Sequence, residues 1–169
     1  MKKMSFLLSL IVLSLAFSFC QETNKPTVHT DDTVARNKAI YLKANAAFNE
    51  NRIEDGIKLF SLNFLSHKEN GLSGREGVKK SWEDIRTTWP DLNLTIDQLV
   101  AEGDWVMSKC KAMATHTTTV MGVKPTNKKI AAMYWDLKHF DKDGLIIESW
   151  NMLDNAALMQ QIGLLPTNK

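Results

Sequence analysis

Hydrophobic residues recur at helical spacing in the first half of the chain. From Val34 to Asn51 the apolar positions follow one side of a helix, and residues 53–59 predict one or two further helical turns. A third helix is predicted from Gly74 to Thr88, with an apolar stripe formed by Val78, Trp82, Ile85 and Trp89. Trp89-Pro90 ends this helix, because the residue before proline avoids the α region.

The second half of the chain has the pattern of strands and tight turns. Apolar, β-branched and aromatic residues predict four strands, Leu92–Glu102, Trp105–Met121, Lys129–Phe140 and Leu145–Leu153. A shorter strand, Leu59–His67, precedes the third helix, and a last helix near Leu158–Gly163 closes the chain. Helices followed by an antiparallel meander of about four strands predict an α+β domain, in which helices cover one face of a curved sheet.

The beginning of the chain has the pattern of an export signal. Lys2 and Lys3 precede a short apolar stretch, Phe6–Phe17, which is too short to span a bilayer comfortably. We therefore predict a signal peptide over residues 1–19, a flexible linker over residues 20–31, and one domain over residues 32–169.

Two cleavage patterns overlap at this signal. Cys20, followed by a polar run, lies where a bacterial lipoprotein carries its lipidated cysteine, although Phe19 is bulky for that signal. Ala16-Phe17-Ser18 fits the small-x-small site of ordinary signal peptidase instead. Both remain open, so the expected location is the periplasm, or a membrane to which the protein is anchored only through lipid on Cys20.

Charge and cysteine content exclude several classes of function. The 21 Lys and Arg residues nearly balance the 19 Asp and Glu residues and form no basic stripe, so nucleic acid is not expected as a partner. The four histidines lack the spacing of metal ligands, and no metal site is expected. Cys110 lies in an apolar strand and is interpreted as a small buried hydrophobe.

The last strand carries the strongest signal for a site. Trp150 and Asp154 are four residues apart, so period-two alternation places them on one face with Ile146, Glu148 and Met152. A bent sheet covered by helices encloses a concave apolar space of the kind that ligands favour. The apolar candidates for its lining are Trp82, Trp89, Met133, Trp135 and Trp150, and the polar candidates are His67, His116, Asp136 and Asp154.

The order of several motifs resembles that of the SnoaL-like polyketide cyclases, also called ester cyclases, in the nuclear transport factor 2-like superfamily. The matching pieces are Trp89-Pro90-Asp91-Leu92, Glu102-Gly103-Asp104, Thr115-His116-Thr117, Gly122 with Pro125-Thr126, Asp143-Gly144, Glu148-Ser149-Trp150 and Asp154. The resemblance covers the chain from Val34 onward. It implies a cone-shaped, cystatin-like α+β fold, often a homodimer, with neither a metal nor an organic cofactor.

The resemblance also implies roles for particular residues. In cyclase members of the family an Asp at the position of Asp154 is the general acid/base of an intramolecular aldol closure, and burial in an apolar pocket makes a carboxylate a better base. His116 or His67 would then polarise the substrate carbonyl. The chain departs from the family at Asn127, where Gly is common, and at Ser149, where many members have His.

Each of these candidates also has a structural interpretation. Asp154 precedes Asn155-Ala156 and can cap the last helix. His116 can be a satisfied structural histidine, and His67 can be a surface residue. The sequence leaves two main functions open: a cofactor-independent cyclase or isomerase acting on a small apolar carbonyl compound, and an exported, non-catalytic binding module with the same cavity. A third interpretation is an interaction or dimerisation module whose outer sheet face binds protein.

Overall fold

A computed structural model describes residues 31–68 and 71–166. The predicted signal peptide and Cys20 lie outside the described residues. The elements, in chain order, are α1 (Asp31–Asn49), α2 (Ile53–Gly56), a 3-10 turn (Ile57–Leu59), β1 (Phe60–Ser66), α3 (Gly74–Thr88), β2 (Asn93–Glu102), β3 (Trp105–Thr115), β4 (Lys129–Phe140), β5 (Ile146–Leu153) and α4 (Asn155–Ile162). In this part of the chain, no helix combines the length and apolarity needed to cross a bilayer.

The five strands form one sheet in the order β1-β5-β4-β3-β2. The antiparallel pairs β2–β3, β3–β4 and β4–β5 confirm the predicted meander. The sequence predicted β1 as a strand but not its position in the sheet, where it pairs in parallel with β5 at the edge opposite β2. Helices α1 and α3 pack on one face of this curved sheet, which is the predicted α+β arrangement.

The core lies between the helices and this inner face of the sheet. Its buried members are Tyr41, Ala44, Ile57, Phe60, Phe64, Val78, Val106, Phe140 and Ile146. Trp82 of α3 packs edge-on against Phe48 and Phe60, with ring centroids 5.2 and 5.9 Å apart. Gly56 makes room for this indole, since a Cβ there would lie 2.3 Å from Cζ3 of Trp82.

The third strand is shorter than the sequence predicts, because it ends at Thr115 rather than Met121. At this end of the strand, the carboxylate of Asp91 accepts hydrogen bonds from the backbone N–H of Thr115 at 2.8 Å and from the hydroxyl of Thr115 at 2.6 Å. The chain then reverses in a turn closed by paired backbone bonds between Val120 and Val123. The run of Thr and Val has strand propensity, but this turn removes it from the ladder.

The last strand contains a bulge at Ile147. Phe140 of β4 pairs with Ile146, whereas the preceding residue, His139, pairs with Glu148. Ile147 is therefore an extra residue with no partner of its own, and it reverses the alternation of side chains beyond it.

This bulge corrects the predicted face of β5. Ile146 points into the core, as expected, but beyond the bulge Ser149 and Asn151 face inward. Glu148 and Trp150 therefore lie on the outer face of the sheet, and the predicted shared face of Ile146 and Trp150 is wrong. Simple period-two counting from the start of the strand cannot detect a single inserted residue.

Candidate functional site

The inner face of the sheet and the helices above it enclose a cavity of about 620 Å³. Its walls are mainly apolar and include Phe48, Phe60, Phe64, Val78, Trp82, Ile85, Trp89, Leu92, Leu94, Ile130 and Leu158. Exposed residues at its rim, Lys68, Leu72, Met152 and Asn155, mark the mouth. This volume lies within the range of small-molecule sites.

Asp136 is the buried acid of this cavity. It lies on β4, is 5% exposed, and lines the cavity together with Tyr134 and Lys138 on the same face of the strand. Oδ2 of Asp136 accepts a hydrogen bond from the Tyr41 hydroxyl at 2.8 Å and pairs with Nζ of Lys138 at 2.9 Å. Oδ1 is buried and has no hydrogen-bond partner among the described residues.

The lysine is held at the same place by aromatic rings. Its ammonium group lies 5.6 Å from the ring centroid of Tyr41 and 5.5 Å from that of Phe60, and its side chain is 13% exposed. Cation–π attraction in such a desolvated place adds to the ion pair. Lys138 therefore stays beside Asp136 as a fixed positive charge with further N–H groups to donate.

A chain of hydrogen bonds that runs through Tyr41 to Ser108 and Cys110 orients the carboxylate of Asp136. The hydroxyl of Tyr41 also bonds Oγ of Ser108 at 2.5 Å, and Ser108 is 3.1 Å from Sγ of Cys110. Burial first, and then the charge of Asp136, raise the pKa of Tyr41 far above its ordinary value. The phenol therefore stays protonated, and its hydroxyl hydrogen is available to Asp136.

Two further polar groups of the cavity have no partner within the described part of the chain. Tyr134 and Asn151 both line the cavity, and neither side chain makes a hydrogen bond to another described residue. Asn151 lies on β5, directly opposite Asp136 in the ladder. Burial, followed by the charge of Asp136, raises the pKa of Tyr134 well above its ordinary value, so this phenol is a donor and not a base.

Two of the predicted lining residues are found in the cavity. Trp82 and Trp89 both belong to its wall. Asp136, named among the polar candidates, is its buried carboxylate.

Four other predicted residues lie away from the cavity, on the outer face of the sheet or at its edge. Met133 is 42% exposed, and Trp135 alternates with the inward-facing residues of β4. Trp150 stacks on the ring of His67, with centroids 3.9 Å apart and the planes 4° apart. The expectation that these four side chains contact a molecule in the cavity does not fit their positions.

The histidine at the edge belongs to a cluster on that outer face. Glu148 bridges two imidazoles, with Oε2 2.8 Å from Nε2 of His67 and Oε1 3.4 Å from Nδ1 of His139. Trp105 stacks on His139 at 4.1 Å and contacts Trp150 at 5.5 Å. The hydrogen bond with His67, ahead of that with His139, holds the pKa of Glu148 below its ordinary value.

His116 is fully buried beside the cavity wall. Its Nδ1 is 3.0 Å from Oγ1 of Thr126, and its ring lies 5.8 Å from that of Trp89. Its Nε2 has no hydrogen-bond partner among the described residues. His116 is not part of the cavity lining, and its unpartnered Nε2 means that it is not the fully hydrogen-bonded histidine of the structural interpretation either.

Asp154 is exposed and caps α4. Its Oδ1 accepts the backbone N–H of Ala157 at 3.0 Å, and the helix ends at Gly163 in the left-handed conformation, φ 90°. Asp154 is absent from the cavity lining. The structure therefore places this carboxylate where the capping interpretation puts it and does not bring it to Trp82 or Trp89.

Sequence reasoning missed the partners of Asp136. Tyr41 comes from α1, 95 residues earlier in the chain, and no local pattern links the two. The alternation of β4 carried a usable signal, because Tyr134, Asp136 and Lys138 are spaced two apart between apolar neighbours. Asn151 was missed because the bulge at Ile147 reverses the alternation that would have placed it on the outer face.

The fold and the cavity define a class of protein: an α+β cone whose bent sheet and helices enclose an apolar pocket with a buried carboxylate. A family model described as SnoaL-like polyketide cyclase matches residues 38–162. The chain therefore belongs to the SnoaL-like polyketide cyclase family, with the nuclear transport factor 2-like fold.

Solved structures with the same fold agree with this assignment. AclR of Streptomyces galilaeus, a proposed hydroxylase, is 28% identical, with a TM-score of 0.73 over 80% of this chain and 90% of that chain. IdmH of Streptomyces antibioticus, a proposed polyketide cyclase, is 26% identical, with a TM-score of 0.67 over 75% and 98%. A proposed polyketide cyclase of Bacillus cereus is 27% identical, with a TM-score of 0.66 over 80% and 86%. No protein with a curated description matches the chain.

Proposed function

We propose that the cavity binds a small apolar carbonyl compound and that Asp136 is its general acid/base. One observation carries the proposal: a carboxylate that is 5% exposed lines an apolar cavity and has one oxygen with no partner among the described residues. Buried polar groups are nearly always hydrogen-bonded, and an exception calls for an explanation such as a catalytic role or a missing partner. A molecule in the cavity is the natural partner for this oxygen.

The surrounding groups suit proton transfer beside a carbonyl. Asp136 would take a proton from the carbon next to the carbonyl; the electron pair of that C–H bond would form the C=C bond of an enolate, and the π pair of the C=O bond would move onto the oxygen. Lys138 and Asn151 both present N–H groups near Asp136 and can donate to this oxygen as its charge develops. The proton held by Asp136 would then return to carbon, or to the alkoxide of an aldol closure.

Trp82 and Trp89 would hold the apolar body of the ligand. Asp154, in contrast, is exposed and bonded to the start of α4. We therefore assign the acid/base role to Asp136 in place of the position that the family resemblance implied. Membership of a family of polyketide cyclases supports chemistry beside a carbonyl group, but the fold by itself does not fix the reaction.

The test is deuterium exchange into an enolisable ketone. Protein in D₂O is mixed with 2-tetralone, and deuterium at the carbons beside the carbonyl is followed by NMR against a protein-free sample. The unmodified protein is expected to accelerate exchange, and Asp136→Asn to slow it by about 10²- to 10⁴-fold, which is the usual contribution of a general base. Asp154→Asn is the matched control and should exchange like the unmodified protein.

Two results would contradict this assignment. If Asp154→Asn lost the activity and Asp136→Asn kept it, the resemblance would be the better guide to the base. If 2-tetralone bound without any accelerated exchange, the chain would be a non-catalytic binding module. The Asp136–Lys138 ion pair favours that second function to some degree, since a carboxylate already paired with an ammonium group can hold a ligand without taking its proton.

A further inference from the structure

We propose that the cavity selects neutral apolar molecules that donate a hydrogen bond, namely phenols and enols, over equally apolar molecules that lack an O–H group. The selectivity would come from the carboxylate of Asp136. The proposal rests on the proposed function in that it concerns the same carboxylate and cavity, but it concerns binding and not proton transfer.

One oxygen of the carboxylate is already fully used. Oδ2 of Asp136 accepts a hydrogen bond from the Tyr41 hydroxyl at 2.8 Å and forms an ion pair with the ammonium group of Lys138 at 2.9 Å. Both donors are fixed in place, because Tyr41 is 2% exposed and bonded to Ser108, and Lys138 lies over two aromatic rings. These donors therefore hold Oδ2 on their side and leave Oδ1 for another donor.

No side chain of the described residues fills that second place. Oδ1 is buried and has no hydrogen-bond partner among residues 31–68 and 71–166, Tyr134 and Asn151 included. Leaving a buried acceptor unpaired costs free energy that a ligand hydroxyl can recover. A ligand with only acceptors cannot recover it, however well its apolar body fits the walls.

Access to Oδ1 requires the carboxylate to move, because this oxygen is buried in the structure. The torsion about Cβ–Cγ has a broad energy minimum, and we expect a ligand hydroxyl to draw Oδ1 towards the cavity as it binds. Such a hydrogen bond to an ionised acceptor is among the stronger kinds. The ligand should therefore place a hydroxyl group at the sheet and its apolar body between Trp82 and Trp89.

Two bicyclic probes measure what the hydroxyl group alone contributes to binding. 2-Naphthol carries an O–H group, whereas 2-methoxynaphthalene has the same rings and an ether oxygen that only accepts. The binding of each to the folded protein is measured at neutral pH by equilibrium dialysis. The unmodified protein is expected to bind 2-naphthol about 10- to 100-fold more tightly, the range of a hydrogen bond to a charged group.

The variant Asp136→Asn should abolish this preference by reversing the polarity of the open position. Tyr41 and Lys138 both donate, so they should keep the amide oxygen at the place of Oδ2 and leave the NH₂ group where Oδ1 was. An NH₂ group serves the ether as well as the phenol, so the ratio of the two affinities should fall to about one. Asp154→Asn, the same substitution outside the cavity, should keep the ratio of the unmodified protein.

The ratio of the affinities for 2-naphthol and 2-methoxynaphthalene in the unmodified protein tests the proposal even if Asp136→Asn does not fold. A ratio near one, a preference for the ether, or no measurable binding of either probe would overturn it. A preference for 2-naphthol that survives in a folded Asp136→Asn protein would overturn it as well, because another group would then be the acceptor. Deuterium exchange that depends on Asp136, together with a ratio near one, would refute this selectivity and leave the proposed function in place.

Discussion

Replacing Tyr41 with Phe removes one hydroxyl from a buried network and leaves the ring. That hydroxyl bonds Oδ2 of Asp136 at 2.8 Å and Oγ of Ser108 at 2.5 Å, and the residue is 2% exposed. A hydrogen bond to a charged group contributes about 1.5–3 kcal/mol and one between neutral groups about 1 kcal/mol. Phe avoids the cost of burying a hydroxyl, so the net loss in the free energy of unfolding should be about 2–3 kcal/mol.

The chain supplies its own control for this prediction, because the hydroxyl of its second tyrosine, Tyr134, has no hydrogen-bond partner among the described residues. Tyr134→Phe removes the same atom from the same cavity wall but breaks no hydrogen bond among the described residues. We expect the free energy of unfolding to change by less than about 0.5 kcal/mol, or to rise slightly.

Both variants and the unmodified protein are unfolded in urea and followed by tryptophan fluorescence and far-ultraviolet circular dichroism. Equal denaturant slopes allow the midpoints to be compared as stabilities. Equal losses of stability in the two variants would show that the hydrogen bonds of the Tyr41 hydroxyl contribute nothing beyond the effect of removing a hydroxyl from the cavity wall. A loss below about 0.5 kcal/mol in Tyr41→Phe would show that the hydroxyl does not hold Asp136.

Three further predictions follow from other contacts. Burial raises the pKa of both tyrosines, Tyr41 and Tyr134, so the free energy of unfolding should fall as pH rises above about 10. The expected fall is about 1.4 kcal/mol per pH unit for each tyrosine. Phenolate absorbance should then appear together with the loss of circular dichroism and not before it. The pKa of Glu148 is lowered mainly by its hydrogen bond with His67, so its contribution to folding stability is present above about pH 4.5 and is lost as pH falls further. In urea titrations, the stability of Glu148→Gln should therefore decline less over that acidic range than the stability of the unmodified protein. Gly56→Ala would force a methyl group against Trp82 and should lower the free energy of unfolding by about 1–3 kcal/mol, with a changed tryptophan emission, and an unchanged protein would show that the indole moves freely.

The outline of the fold follows from short-range signals. Trp89-Pro90 ends α3 where the backbone restriction before proline requires it. The turn before β5 forms where Asp143-Gly144 predicts it: Gly144 has a positive φ of 86°, and Asp141 accepts the N–H groups of Asp143 and Leu145. These are local devices, and each is visible in a few consecutive residues.

The contents of the cavity depend on contacts that no local pattern contains. Tyr41 meets Asp136 only because α1 crosses the inner face of the sheet. The role of Asp154 had two local interpretations of similar merit, and whether it lines the cavity could be decided only once the end of β5 was placed. The sequence therefore predicted a cavity and named Asp136 among its polar candidates, but gave the acid/base role to Asp154, which is absent from the lining.

The extra residue at Ile147 decides which side chains of β5 line the pocket. Deleting it would leave the pairs Phe140–Ile146 and His139–Glu148 in regular alternation, so Ser149 and Asn151 would still face inward. A regular ladder that kept Ile147 would instead turn Glu148 and Trp150 inward. The present lining therefore depends on the bulge absorbing one residue, and a redesign that removes the bulge without shortening the strand would give the same scaffold a different pocket.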